Sequence, residues 1–322
     1  MKLKAVLAAC VVAALAGSVA AQEFPNRPIR FVVSFPPGGG NDLMARLVAN
    51  VVSSRVGQSV VVENRAGAAG VVGTAAVASA APDGYTVLVT GDVPITQAHL
   101  LGKVPYDPYK DLSPLVKGAS VPTTVLVAGS APFKSLKELL DHARANPGKV
   151  SWGTPGNGTS MHVELEMLKE KLRLDIIHIP YKGAAPIMAD TMGGQITVGA
   201  PGLPPTIGNI KSGKLRLLAV WGPSRVSVFP DVPTVREATD EASLEGMPTW
   251  YGFLLPAGVP KQIANRLESE IIAGLRDPEV TRKLLEAGAT VVAQPAAAFG
   301  EANRVQTAAF AVIFKKLKLK AD

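Results

Sequence analysis

Residues 28–42, with the sequence PIRFVVSFPPGGGND, decide the fold that the chain predicts. Pro28–Phe35 is a nearly continuous apolar run, which is typical of a strand buried on both faces. Two prolines and three glycines end the run, and beyond Asn41 the apolar residues recur with helical spacing. Asn41 suits an N-cap and Asp42 suits a first helical turn. The stretch therefore predicts a buried strand, a glycine-rich loop and a helix that begins in that loop.

The same order recurs along the chain. Strands at Ser59–Asn64 and Tyr85–Thr90, with a helical segment between them, complete a βαβαβ unit and predict a parallel sheet. From Val150 a further strand leads through a second glycine-rich loop into a helix that opens near Thr159 or Ser160. Two lobes that each carry such a loop indicate a cleft between them, and helix N-termini in that cleft favour anions.

The remaining segments are predicted more coarsely. Gly102–Pro114 is rich in Pro, Tyr and Asp, which indicates an irregular excursion. Thr123–Val127 and Trp250–Pro256 are predicted strands, and Phe299–Leu319 is predicted as a closing helix.

The first 21 residues have the pattern of a secretory signal peptide. Two lysines precede the apolar stretch Ala5–Leu15, and small residues follow up to a cleavage position ahead of Gln22 or one residue earlier. Cys10, the one cysteine of the chain, lies inside this segment, so the mature chain would have no thiol for a disulfide or a nucleophile. The alternative is a lipoprotein signal, since Leu7–Cys10 resembles a lipobox, although its apolar stretch is short.

Composition and motifs exclude several classes of protein. The chain has 33 basic and 26 acidic residues and only 5% aromatic residues, and its basic residues cluster only at Lys315–Lys320, so nucleic acid is not the predicted partner. Its four histidines are not at metal-ligand spacing, and the loop 153–160, GTPGNGTS, lacks the lysine of a phosphate-binding loop. No metal, no cofactor and no nucleophile with a base are predicted, and the chain is predicted not to be an enzyme.

The candidate binding residues each have a structural alternative. The loop Pro37–Asp42 offers backbone amides and two polar side chains, but it could be only a turn and a helix cap. Asp92 follows the third predicted strand, where a turn-forming aspartate is also common. His162 lies in the first turn of the second loop helix and either faces the cleft or forms a local hydrogen bond.

Short motifs along the chain carry a resemblance to a known family. They are 24–30 (FPNRPIR), 35–39 (FPPGG), 60–67 (VVVENRAG), 81–86 (APDGYT), 105–108 (PYDP), 146–149 (NPGK), 156–160 (GNGTS), 180–183 (PYKG), 213–216 (GKLR) and 230–234 (PDVPT). In this order and spacing, the chain resembles the substrate-binding receptors of tripartite tricarboxylate transporters, also called the Bug family. The resemblance covers nearly the whole mature chain.

The resemblance implies an α/β fold of the type II periplasmic-binding-protein kind, with two lobes around a cleft. Two crossover strands would join the lobes near Thr123–Val127 and Trp250–Leu255. The implied division is 22–123 plus 251–322 for lobe 1 and 124–250 for lobe 2. The implied function is a monomeric periplasmic receptor that delivers a small organic carboxylate to a membrane carrier. A receptor that presents its ligand to a sensor protein is the first alternative, and a secreted α/β enzyme is the second.

The resemblance also implies which residues bind the ligand. In the family, backbone amides and hydroxyls of the two loops hold the ligand carboxylate. Carried over position by position, the binding residues are Phe35, Pro37, Gly38, Gly39, Asn41, Asp42, Asn157, Gly158, Thr159, Ser160 and His162, to which we add Asp92 and Gly202. The chain departs from the family where Pro201 and Gly202 replace a usual acidic or amide pair. This departure predicts a roomier or more apolar pocket and a bulkier carboxylate, such as an aromatic one.

Overall fold

A computed structural model describes residues 24–247 and 249–317. The predicted signal peptide, its cleavage position and Cys10 lie outside the described residues. The described chain forms two mixed sheets with helices packed on them, and each sheet has its own hydrophobic core.

The first sheet has six strands in the order β11-β4-β10-β3-β1-β2. Strand β1 is parallel to β2 and β3, whereas β10 is antiparallel to β3 and β4, and β11 is antiparallel to β4. Their bounds are Ile29–Val33 (β1), Val60–Asn64 (β2), Thr86–Gly91 (β3), Leu112–Ser120 (β4), Trp250–Pro256 (β10) and Thr290–Pro295 (β11).

The second sheet has five strands in the order β7-β6-β8-β5-β9. Strand β6 is parallel to β7 and β8, and β5 is antiparallel to β8 and β9. Their bounds are Thr123–Ala128 (β5), Val150–Thr154 (β6), Ile176–Pro180 (β7), Val198–Gly199 (β8) and Leu215–Trp221 (β9).

The helices connect and cover the two sheets. Within the described residues, none of them is long and apolar enough to cross a membrane. Numbered along the chain, they are Gly40–Val56 (α1), Val71–Ala78 (α2), Val93–Thr96 (α3), Ala98–Leu101 (α4), Leu136–Ala145 (α5), Ser160–Leu172 (α6), Ala184–Met192 (α7), Ile207–Lys211 (α8), Val235–Thr239 (α9), Lys261–Leu275 (α10), Pro278–Glu286 (α11) and Ala296–Leu317 (α12).

The opening stretch folds as its pattern predicts. In β1, Ile29, Phe31 and Val33 are fully buried, and α1 covers them with Met44 and Val48. An apolar run of this kind is stable where both faces of the strand are covered, and β1 lies inside the sheet between β2 and β3. The parallel βαβαβ unit predicted for β1, β2 and β3 is confirmed.

One prediction for the first sheet is wrong. The segment Gly102–Pro114 is not irregular throughout, because β4 begins at Leu112 and lies between β10 and β11. Pro114, Lys117 and the register shifts against β10 hide its alternating pattern in the sequence.

The chain crosses between the sheets in two neighbouring segments. It leaves the first sheet after Ser120 and returns after Trp221 to the start of β10. The two connections lie side by side, since the amide of Val121 donates to the carbonyl of Thr249 at 3.1 Å and the Thr249 hydroxyl donates to the carbonyl of Val121. The lobe boundaries given above remain a prediction.

The last helix, α12, adds a third link between the two halves. Its first part packs on β4 and β11 of the first sheet. Near its end, Phe310 and Phe314 pack against Val163 of α6, and Lys316 pairs with Glu170 at 2.7 Å. The helix therefore rests on both lobes.

The capping box of α9 supplies a stability prediction. Thr234 accepts from the amide of Glu237 at 3.1 Å, and the Glu237 carboxylate accepts from the amide of Thr234 at 2.9 Å. We expect Thr234→Ala to lower the free energy of unfolding by about 1 kcal/mol, because a buried cap loses its side-chain partner. Urea unfolding measures this loss. Glu237→Gln keeps the capping box and is the control. If Thr234→Ala were as stable as the native chain and as this control, the assignment of the cap would be contradicted.

Candidate functional site

The first loop, 35–39, runs from the end of β1 to the start of α1. Gly39 is the N-cap of α1 and provides no side-chain cap, so the first-turn amides of the helix are not bonded by a capping side chain. Gly40 lies against the ring of Tyr251 in β10, and a Cβ at this position would stand 2.4 Å from the ring. A glycine is therefore needed for α1 to begin this close to β10.

Asp42 shapes this loop from within its own lobe. Its carboxylate accepts from the amide of Gly38 at 3.0 Å, from Arg46 Nε at 2.9 Å and from Asn64 Nδ2 at 3.0 Å. Burial raises the pKa of Asp42, but the hydrogen bonds from Arg46, Gly38 and Asn64 outweigh it and hold the pKa below its usual value. With these partners, the Asp42 carboxylate fixes the conformation of the loop. Its contact with a ligand stays a prediction.

The second loop, 155–159, runs from β6 to α6 in the other lobe. Gly158 has a φ of +68°, and its amide donates to His162 Nδ1 at 3.0 Å. Thr159 is the N-cap of α6 and accepts from the amide of His162. The His162 ring stacks on His178 with centroids 3.8 Å apart. His162 therefore supports the loop through a local hydrogen bond, and its contact with a ligand stays a prediction.

The two lobes meet at Asp92. Ser160, the first residue of α6, donates to Asp92 Oδ2 at 2.7 Å, and Gln97 Nε2 donates to the same oxygen at 2.9 Å. Gln97 Nε2 also reaches the Ser160 hydroxyl at 3.0 Å. Nearby, Leu101 of α4 lies against Gly158, where a Cβ would be 1.9 Å from Leu101 Cδ1. The second loop therefore contacts the segment that follows β3.

Asp92 is a buried acid inside this contact. Burial raises its pKa to about 6, while the hydrogen bonds from Ser160, Gln97 and the backbone oppose the rise. Its charge also reaches two residues of the first sheet. Lys117 of β4 has a pKa lowered by burial and raised in part by Asp92, and Tyr251 has a pKa raised by burial and then by Asp92. Gln97, Lys117 and Tyr251 were not predicted from the sequence.

Phe35 and Asn41 lie close to the same place. Gly91 immediately precedes Asp92, and a Cβ on Gly91 would stand 3.6 Å from Phe35 Cε2 and 3.8 Å from Asn41 Nδ2. Asn41 is buried, and its Oδ1 has no hydrogen-bond partner among the described residues. The first loop and the segment after β3 thus form one continuous wall.

The other predicted residues are distributed around these contacts. Pro37 and Gly38 are exposed, and Asn157 is partly buried. Gly202 lies beside the connection between the lobes, where a Cβ would be 3.7 Å from Val121 and 4.0 Å from Met161. Gly202 therefore lies next to apolar side chains, and the roomier or more apolar pocket stays a prediction.

Glu164 is a second buried acid, one turn along α6 from Ser160, and was also missed. Its Oε2 accepts from the Thr123 hydroxyl at 2.6 Å, and its Oε1 accepts from the amide of Met247 at 3.1 Å. Thr123 begins β5 directly after the first connection between the lobes, and Met247 lies in the second connection. Burial raises the pKa of Glu164 to about 8, against the hydrogen bonds from Thr123 and Met247, and the charge of Asp92 raises it further.

Comparison with known proteins agrees with this geometry. The family model described as "Tripartite tricarboxylate transporter family receptor" matches residues 44–318. The protein BugT of Bordetella pertussis is 35% identical over 286 residues, which are 88% of this chain and 87% of BugT.

Solved structures show the same fold. The periplasmic binding protein BugD is 35% identical, with a TM-score of 0.83, and the match covers 93% of this chain and 100% of BugD. An R. palustris protein solved with adipate is 29% identical, with a TM-score of 0.87 and the same coverage.

The two α/β lobes and the loops that meet between them define a solute-binding protein of the periplasmic type, which confirms the predicted fold class. Within that class, the chain belongs to the tripartite tricarboxylate transporter receptor family, which includes the Bug proteins.

Proposed function

We propose that the chain captures a small organic carboxylate between its two lobes in the periplasm and delivers it to the membrane carrier of a tripartite tricarboxylate transporter. The observation that carries this proposal is the meeting of the two loop regions, where Ser160 of one lobe bonds Asp92 of the other. A ligand held beside this contact would touch both lobes at once. The R. palustris relative solved with adipate supports a carboxylate as the ligand class.

The loops supply the chemistry that an anion needs. The N-terminus of α1 presents first-turn amides at a glycine cap, and α6 begins with Thr159 and Ser160. Helix N-termini favour anions through these amides and through the helix dipole. The carboxylate is therefore held mainly by backbone amides, because the hydroxyls of Ser160 and Thr159 already donate to Asp92 and to the carbonyl of Gly156.

Delivery requires that the carrier distinguish loaded from empty receptor. A ligand that contacts both lobes stabilises the closed arrangement and shifts the population toward it. The paired connections at Val121 and Thr249 provide the hinge, because they are the neighbouring segments through which the chain passes between the sheets.

Three narrower proposals accompany this function. The ligand has a bulkier, aromatic body, which the apolar surroundings of Gly202 support. The mature protein is a monomer and begins after a cleaved signal peptide of 21 residues. The bound carboxylate is released unchanged, without turnover.

A thermal-shift screen followed by calorimetric titration tests the proposal. We expect small carboxylates, including aromatic ones, to raise the unfolding temperature, with larger shifts for tighter ligands at equal concentration, since a ligand that binds only the folded state stabilises it. Uncharged amides of the same acids are the matched controls and should have no effect. Stabilisation by citrate but not by any aromatic acid would contradict the aromatic proposal, and no response to any carboxylate would contradict the function.

A further inference from the structure

Three acceptor-bearing side chains converge where the lobes meet. Gln97 Nε2 donates to Asp92 and to Ser160, which fixes the orientation of the amide and leaves Oε1 as its free acceptor. Gln97 is fully buried, and its Oε1 has no hydrogen-bond partner in the part of the chain that the structure describes. Asn41, which lies near Gly91, also has a buried Oδ1 with no hydrogen-bond partner among the described residues. Buried acceptors without a donor are costly, so this place favours a group that donates hydrogen bonds.

The charge of Asp92 favours the same kind of group. Asp92 is 7% exposed, and its carboxylate accepts hydrogen bonds from neutral donors only: Ser160, Gln97 and backbone amides. No ion pair between Asp92 and Lys117 within 4.0 Å occurs among residues 24–247 and 249–317, so the negative charge is not cancelled by direct contact. A second carboxylate beside Asp92 would meet a like charge away from water, whereas an ammonium group would meet an opposite one.

We propose that Asp92 makes this receptor selective for carboxylates whose other polar group is a hydrogen-bond donor, an ammonium or a hydroxyl, and that it disfavours dicarboxylates. The inference rests on the proposed function, since it assigns a preference to the same cleft. One carboxylate of the ligand lies at the loop amides, and the donor group faces Asp92, Asn41 and Gln97.

Calorimetric titration with matched pairs of ligands tests this preference. Within each pair the body of the molecule is kept and one carboxylate is replaced by an ammonium group. The pairs are adipate with 6-aminohexanoate, succinate with 4-aminobutanoate, and terephthalate with 4-(aminomethyl)benzoate. We expect at least one amino acid to bind about tenfold or more tightly than its dicarboxylate partner, because the charge that faces Asp92 changes sign.

Two variants assign the preference to Asp92. In Asp92→Asn the ratio of the two dissociation constants should fall to about one or reverse. Asp141→Asn, an exposed change in α5, removes a carboxylate far from the cleft and should leave the ratio as in the native chain. Circular dichroism and the unfolding temperature establish that both variants are folded. The preference itself is tested by the ratio of dissociation constants measured on the native chain, which requires no variant.

The outcomes separate the inference from the proposed function. Tighter binding of the dicarboxylates, with an unchanged ratio in Asp92→Asn, would overturn the inference and leave the receptor function in place. Absence of binding by either member of every pair, and by the carboxylates of the wider screen, would overturn both.

Discussion

Gly158→Leu should reduce ligand affinity at least 100-fold while the protein remains folded. A Cβ at Gly158 would stand 1.9 Å from Leu101 Cδ1, so a larger side chain forces the second loop away from α4 and keeps the lobes apart. The replacement also carries the backbone cost of a φ of +68°, roughly 1 kcal/mol for a residue with a Cβ. Calorimetric titration and urea unfolding measure the two effects separately.

Gly213→Leu is the matched control for this change. Gly213 has a φ of +73°, and a Cβ there would meet nothing within 4 Å, so it carries the same backbone cost without blocking the lobes. It should lose similar stability and retain normal affinity. The smaller change Gly158→Ala should also lower the affinity, because its Cβ meets Leu101. Adding Leu101→Ala to Gly158→Ala should restore part of that affinity, because it removes the atoms that the new Cβ meets. Normal binding by Gly158→Leu would contradict the placement of the site.

Raising the pH from 6.5 to 8 should lower the free energy of unfolding by roughly 2 kcal/mol, at about 1.4 kcal/mol per pH unit. Glu164 is responsible, since burial raises its pKa from 4.5 to about 8. In this window the folded chain keeps a proton that the unfolded chain has lost, so stability falls as the pH rises. The contribution of Glu164 to the free energy of unfolding is complete below about pH 4.5 and is lost by about pH 8. Asp92, with a pKa of about 6, has largely titrated before this window begins.

Glu164→Gln should abolish this dependence. The neutral amide can still accept from the amide of Met247 and donate to the Thr123 hydroxyl, but it has no proton to lose. Glu166→Gln, two residues along the same helix, removes a carboxylate that pairs with Lys169 and should keep the dependence. Urea midpoints at pH 6.5 and pH 8 measure the difference. An equal loss of stability in Glu164→Gln and in the native chain would exclude Glu164 as its source.

The sequence predicted the elements whose environment is uniform along their length. The run Trp250–Pro256 was placed with the bounds that the structure shows, because a strand buried on both faces is continuously apolar. Strand β4 was missed, since Pro114 and Lys117 interrupt its pattern and its pairing with β10 shifts register twice. Such a strand is recognisable only from the partners beside it.

The two loops of the candidate site were predicted from the sequence, but the contacts of their side chains were not. Glycine-rich turns before helices indicate where an anion can approach backbone amides, so both loops were found. The partner of each polar side chain, however, depends on residues far along the chain. Asn64 engages Asp42, and His178 stacks on His162, and neither pairing leaves a local signal.

The lobe contact shows the same limitation. Asp92 and Ser160 were both predicted to be binding residues, yet nothing in the sequence indicates that they bond each other across 68 positions. Glu164 was not predicted as a site residue, because its partners Thr123 and Met247 are far from it along the chain. Buried acids of this kind are identified by their surroundings in the fold.

Native mass spectrometry of the receptor, purified from periplasm without denaturation, tests the central claim most directly. We expect a fraction of the protein to carry one small carboxylate, which is released on unfolding, is chemically unchanged and is absent from Gly158→Leu. A native protein that carries no such molecule, and whose mass is unchanged after incubation with any of the carboxylates tested, would contradict the account.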